Sequence, residues 1–275
     1  MLSSLDIGVS ALEQFQESMD VIGNNIANEN TVGYKDATTN FEDTLSQTLQ
    51  SGGFSGATSQ VGTGVTTSGI STDFSDGTID QTGVSSDLAI SGNGFFVVSD
   101  PSTGAKYLTR AGNFQVDPNG YLVTQQGMRV QGYTNSGLTT VGDIQVNNSG
   151  APNGDTAAVA SYSFGSDGTL TISLADGTSY TGGQVLLQNV TSPETLLKQG
   201  QNLYGNSTAA GALKAAVAPG TSGTGTIVGG SLEASNVDLA SEFTNLITAQ
   251  RGFEAGSKIV TTSDEVLQDL VNLKR

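Results

Sequence analysis

Four aspartates stand where carboxylate chemistry is conceivable: Asp76, Asp117, Asp167 and Asp176. Paired, such groups act as the acid and base of a glycosidase, and clustered they ligate calcium. Their neighbours argue for something plainer. Asp76, Asp167 and Asp176 each precede a glycine and Asp117 precedes Pro118, a pattern of turns and solvated charge. No calcium-loop spacing accompanies them. The glycines of Gly62–Gly64 and Ser91–Gly94 share a feature with phosphate-cradling loops, but the full dinucleotide fingerprint and the P-loop lysine are missing, so they too read as turns.

Histidine and cysteine are both absent from the 275 residues. That removes the commonest general base, the thiolate nucleophile, every Ser-His or Cys-His pair and every thiolate metal site. No catalytic, cofactor-binding or metal-ligating set is left, and the chain is expected not to be an enzyme. Ten basic against 26 acidic residues give a net charge of -16, which repels nucleic acid and anionic lipid. No run of about 18 apolar residues is available for membrane insertion. The first helical stretch carries Asp6, Glu13, Glu17 and Asp20, with neither the basic start nor the continuous apolar region of a cleaved signal peptide. A carbohydrate-acting or carbohydrate-binding β-protein is the rival class; the absence of Trp removes the usual sugar-stacking platform.

With no chemistry to position, the elements themselves become the candidate working parts. Leu2, Leu5, Val9, Leu12, Met19, Ile22 and Ile26 recur in steps of three and four, broken at Gln16, which is a heptad seam on a helix about 40 Å long. At the other end, Ser235 or Asn236 can cap a helix whose Leu239, Phe243, Leu246, Phe253 and Val260 repeat the spacing, with Gln250 in one seam position, before Leu267 and Val271 resume it. Ile259, Val266, Leu270 and Leu273 widen that face. Gly252 and Gly256 are four apart, either to admit a neighbouring helix or as tolerated cost. The two ends are expected to pack together, because an isolated amphipathic helix is marginal in water.

Between them, short alternating runs are separated by Asp117-Pro118-Asn119-Gly120, Asp167-Gly168 and Asp176-Gly177, which are hairpin signals. Phe95, Phe96, Phe114, Tyr121 and Tyr133 are the expected β-core aromatics. Arg110 and Arg129 are expected either in surface ion pairs or against an acidic neighbour in an assembly. The fold class is α+β and multi-domain: N- and C-terminal helices pair as a coiled-coil-like domain around a central antiparallel all-β domain. The expected boundaries are 1–34 plus 235–275 for the helical assembly domain, 35–74 for an extended linker, 75–206 for the β-domain and 207–234 for a returning linker.

The stretch NNIANENTVGYK, with Asn24, Asn25, Ile26, Ala27, Asn28, Thr31, Gly33, Tyr34 and Lys35, resembles the N-terminal signature of the flagellar rod and hook proteins. The block TDFSDGTIDQTGVSSDLAISGNGFFVV and the tail SNVDLASEFTNLITAQRGFEAGSKIVTTSDEVLQDLVNLKR are similar to the same family, so the resemblance spans most of the chain. The residues also make sense as a helix end, where asparagine and glycine accept turn conformations. The tail looks most like the hook branch, and the hook protein is the expected identity; the short span from Val141 to Gly230 leaves little room for the outer inserted domain of many hook proteins, which fits a compact hook protein or, as the alternative, a distal or proximal rod protein.

The resemblance implies a subunit of the flagellar hook or basal body, made for motility, that crosses the flagellar export apparatus unfolded without a cleaved signal and polymerises into a helical tube. Its partners would be copies of itself and the neighbouring rod, hook-cap and hook-filament junction proteins. The seam positions would be the assembly residues. No cofactor, nucleic acid or membrane insertion is implied.

Overall fold

A computed structural model of the chain describes residues 2–50, 59–134, 137–148, 151, 157–205 and 215–273. The chain divides into a helical unit, made of Met1–Glu29, Asp36–Asp73 and Val237–Arg275, and a β unit, made of Asn30–Lys35 and Phe74–Asn236.

In the helical unit, α1 (Leu2–Ala27) and α2 (Leu239–Leu273) lie antiparallel. A Cβ on Gly8 would lie 2.9 Å from the Val260 side chain, one on Gly256 3.2 Å from Leu12, and one on Gly252 2.5 Å from the Phe15 ring. Ser4 and Ser263 hydroxyls lie 3.5 Å apart further along. Successive contacts thus advance three or four residues on α1 and retreat three or four on α2. Glycine in a helix interior costs about 1 kcal/mol relative to alanine; here it lets Leu12 and Phe15 press onto bare backbone. Asp238 caps α2, its carboxylate accepting from the amides of Ala240 (2.9 Å) and Ser241 (3.4 Å). The cap is therefore neither Ser235 nor Asn236: the Asn236 amide donates to the Ser75 hydroxyl at 3.1 Å.

Residues 35–74 do more than link. Strand Ala37–Asp43 pairs antiparallel with Val65–Thr72, with a bulge between Asn40 and Phe41, and Gln47–Gln50 pairs with Ser59–Val61. The first pair is fastened to α1, because the Thr67 hydroxyl bonds to the side chains of Gln14 and, at 2.5 Å, Glu17. Small polar residues look like linker in sequence, yet their threonines satisfy a ladder and a helix at once.

The β unit is organised by one antiparallel sheet, ordered Val159–Phe164, Thr169–Leu174, Ser179–Val185, Arg129–Tyr133, Phe95–Ser99, Lys106–Thr109, Leu203–Gly205, Leu197–Gly200. Strand Phe95–Ser99 is buried on both faces. Phe96 and Val98 join Leu88, Ile90, Phe114 and Val130 in the larger core. Phe95 and Val97 point the other way, into a smaller cluster with Leu108, Leu196 and Tyr204. Each large apolar side chain so covered contributes about 1.5–3 kcal/mol.

The hairpin turns fall at the expected dipeptides: Gly120, Gly168 and Gly177 have φ of 85°, 79° and 89°, the left-handed region that glycine enters without penalty. Tyr121 and Tyr133 are only half-buried, unlike the three phenylalanines. The segment expected to be a returning linker is stranded where described, with Thr226–Gly229 paired to Leu88–Ser91 and Ser231–Glu233 to Ile79–Gln81.

Candidate assembly surfaces and the signature segment

The expected seams divide between packing inside the chain and exposure. On α1, Ile22 is buried, Leu5, Leu12, Met19 and Ile26 are half-buried, and Val9 is exposed. On α2, Leu239, Leu246, Phe253, Val260 and Leu267 are half-buried, while Phe243 is 49% and Val271 69% exposed. Leu12 and Val260 take part in the α1–α2 contact. Gly252 and Gly256 make it too, the helix-admitting alternative of the two open in the sequence, as do Gly8 and Phe15, which apolar spacing passes over. Ile247, Ile259, Val266, Leu270 and Leu273 add to the exposed apolar surface of α2. A groove of about 260 Å³ in the helical unit is lined by Phe15, Val21, Ile22, Phe41, Glu242 and Ala249.

The signature segment belongs to both units, residues 24–29 to the helical one and 30–35 to the β unit. Asn25 is buried. Its amide donates to the Ala37 carbonyl at 2.8 Å and to Glu242 at 3.1 Å, and its oxygen accepts from the Ala37 amide at 3.2 Å. One side chain thereby ties α1, α2 and a strand edge together. Asn28 closes the last turn of α1, its side chain donating to the Asn24 carbonyl at 2.9 Å and the Asn24 side chain at 3.0 Å. Ala27 beside it is exposed. Asn28 stands in the turn that follows α1, as expected of the helix end, but none of these asparagines has a positive φ; Asn25 and Asn28 act through their side-chain amides.

Gly33 does need its left-handed φ of 66°, and a Cβ there would lie 2.7 Å from the Arg110 carbonyl carbon. Its amide donates to the Glu233 carbonyl at 2.8 Å. Tyr34 is buried, and its amide donates to the Thr31 carbonyl at 3.2 Å.

The signature ends in a buried charge cluster. Lys35 Nζ lies 2.5 Å from Glu233 Oε1, with both side chains fully buried, and donates to the Ser75 carbonyl at 2.6 Å. Glu233 Oε2 accepts from Arg110 Nη1 at 3.2 Å, and Oε1 also accepts from the Gly77 amide at 3.1 Å. Arg110 reaches Asp76 at 3.4 Å and the Gly92 carbonyl at 3.0 Å. Burial pushes the Lys35 ammonium below the usual lysine range, and Glu233 opposes that shift.

Arg110, expected at the surface, is thus among the largest fully buried side chains, and Asp76, expected as a turn former, is its partner in a stretch with no turn. Arg129 keeps the surface role, paired with Asp143 at 2.9 Å and lying 3.9 Å from the Tyr121 ring centroid. Sequence reasoning missed Glu233 and Glu242. The only signal was a carboxylate set among apolar residues next to a strand or helix start.

Among the described residues, no group of three or more His, Cys, Asp or Glu is placed to hold a metal ion, and no helix is long and apolar enough to cross a membrane. Three family models match: flagella basal body rod protein over residues 5–35, the flagellar hook protein FlgE/F/G D1 domain over 89–172, and the flagellar basal body rod FlgEFG protein C-terminal region over 228–273. The flagellar basal-body rod protein FlgG of Bacillus subtilis is 44% identical over the whole of both chains.

The chain belongs to the flagellar rod and hook protein family.

Members of this family are structural proteins of the flagellar basal body, rod and hook, and they assemble into axial structures for motility. The FlgG protein of Caulobacter vibrioides is 34% identical, covering 99% of this chain and all of its own. The flagellar hook protein FlgE of Salmonella typhimurium is 26% identical across 415 aligned positions, covering 98% of this chain and all of its own. These values favour the rod over the hook that the tail suggested. The tail does not separate the two, because the C-terminal family model, as its FlgEFG description says, serves rod and hook proteins alike.

Proposed function

We propose that the chain is a subunit of the flagellar basal-body rod, and that it works by polymerising into a helical tube through its two end helices. One observation carries the rod assignment. The chain aligns from end to end with rod proteins over 281 positions, whereas alignment with the hook protein needs 415 positions for 275 residues.

The assembly residues in this reading are Leu5, Val9, Leu12, Met19, Ile22 and Ile26 of α1 and Leu239, Phe243, Leu246, Phe253, Val260, Leu267 and Val271 of α2. Exposure of Val9, Phe243 and Val271 supports it, since apolar side chains left in water by one chain gain free energy when a neighbour covers them. A contact between different surfaces of successive copies does not close on itself and generates a helical tube. Neighbouring rod, hook-cap and hook-filament junction proteins and the flagellar export apparatus are the proposed partners.

Electron microscopy of basal bodies from cells lacking the gene tests the assignment. A missing or shortened rod is the expected result; a complete rod that bears no hook would overturn it.

A further inference from the structure

Helix α1 carries its charge in a row. Asp6, Glu13 and Asp20 are all exposed and recur every seventh residue, which places them on one face about 10 Å apart. No basic residue precedes Lys35 in the chain, and none of the three acids is ion-paired among the described residues.

The basic side chains of the helical unit are confined to Arg251, Lys258, Lys274 and Arg275. Arg251 and Lys258 are exposed and share the seven-residue spacing, on the face of α2 turned away from Gly252 and Gly256, against which α1 packs. The Arg251 pair with Glu254 is solvent-exposed on both sides and leaves the guanidinium available. Because α1 of the same chain is held on the opposite face of α2, acidic row and basic pair cannot meet within one copy.

We propose that Asp6, Glu13 and Asp20 of one copy dock against Arg251 and Lys258 of a second copy, and that this charge match sets the register of the growing tube. The proposal rests on the assembly reading above. Equal spacing allows two adjacent rungs to form together, and a slip of one residue turns both away, as flanking charges do in coiled coils. Exposed Val9, between the first two acids, and exposed Ile247, one turn before Arg251, supply apolar contact beside the charges. A chain that carries both halves of a complementary pair on surfaces it cannot bring together fits another copy of itself.

Charge reversal in cells tests this. R251E/K258E and E13K/D20K would each lower the amount of the chain in isolated basal bodies about tenfold, with unincorporated protein recovered in the medium. The quadruple variant, with Glu13, Asp20, Arg251 and Lys258 all reversed, would return incorporation to within about twofold of the parent. Rescue separates docking from a folding defect, since reversing one row cannot repair a helix damaged by reversing the other. Double variants that incorporate at the parental level, or a quadruple variant as poor as the doubles, would overturn the proposal. The rod assignment fails separately, through the basal-body imaging of gene-deleted cells, whatever the charge reversals show.

Discussion

Lys35 and Glu233 lie 198 positions apart in sequence, yet their charged atoms meet at 2.5 Å with no solvent on either side chain. Glu233 also faces Arg110, so one carboxylate serves two buried cations. Glu233→Gln should therefore destabilise the β unit by about 3–5 kcal/mol, because it leaves Lys35 and Arg110 buried with that charge gone. Lys35→Met should cost less, since Arg110 still answers Glu233. Denaturant unfolding of both variants checks the order, and a Lys35→Met protein weaker than Glu233→Gln would contradict it.

Gly33 and Gly23 offer a paired test of backbone and space. At Gly33, with φ 66° and backbone atoms 2.7–2.8 Å from a Cβ, alanine should cost more than about 2 kcal/mol. Gly23 is an exposed helical position whose Cβ would meet nothing within 4 Å, so alanine there should stabilise by up to about 1 kcal/mol. Thermal melts of the two variants should move in opposite directions.

Replacing Asn25 by alanine strips the Ala37 amide and carbonyl of their side-chain partner and removes one of two side-chain amides that donate to Glu242, Asn245 keeping the other. The expected cost is about 1–3 kcal/mol per orphaned buried group. Amide hydrogen exchange at Ala37 should accelerate at least about tenfold, while strand Phe95–Ser99 in the β unit stays protected.

Asp100 accepts from the Ser102 hydroxyl and amide and from the Thr103 hydroxyl, which together hold its carboxyl at about 2. A depressed carboxylate supports its turn fully above the ordinary aspartate range, and that support fades as pH falls through about 2. An NMR titration of the Asp100 carboxyl should show this midpoint. Ser102→Ala should raise it towards the ordinary value.

Removal of residues 1–34 or 235–275 should abolish polymerisation of the purified chain, since each deletion takes one of the two helices proposed to carry it. Sedimentation and negative-stain microscopy read the outcome directly; tubes of normal length from either truncated chain would exclude the end helices as the assembly elements.

Features governed by near neighbours were legible beforehand. Both helices announce themselves through apolar spacing, and Gly120, Gly168 and Gly177 occupy left-handed positions as their Asp-Gly and Asn-Gly contexts require. Reading failed where a residue's role depends on a distant partner. Arg110 looks like a surface arginine until Glu233 and Asp76 are brought to it. Residues 37–43 and 65–72 look like linker until each becomes the other's ladder. Gly252 is equally readable as a contact surface or a tolerated defect until the Phe15 ring lies on it.

Sequence alone determined the helices at the two ends, the turns between strands and the family, because periodicity, φ preference and a signature motif are properties of short stretches. Tertiary structure decided which charges are buried and which glycines are contact surfaces. The physical reason is that the cost of burying a charge, or the benefit of a missing side chain, has no value until a second segment arrives to pair with it or fill the space.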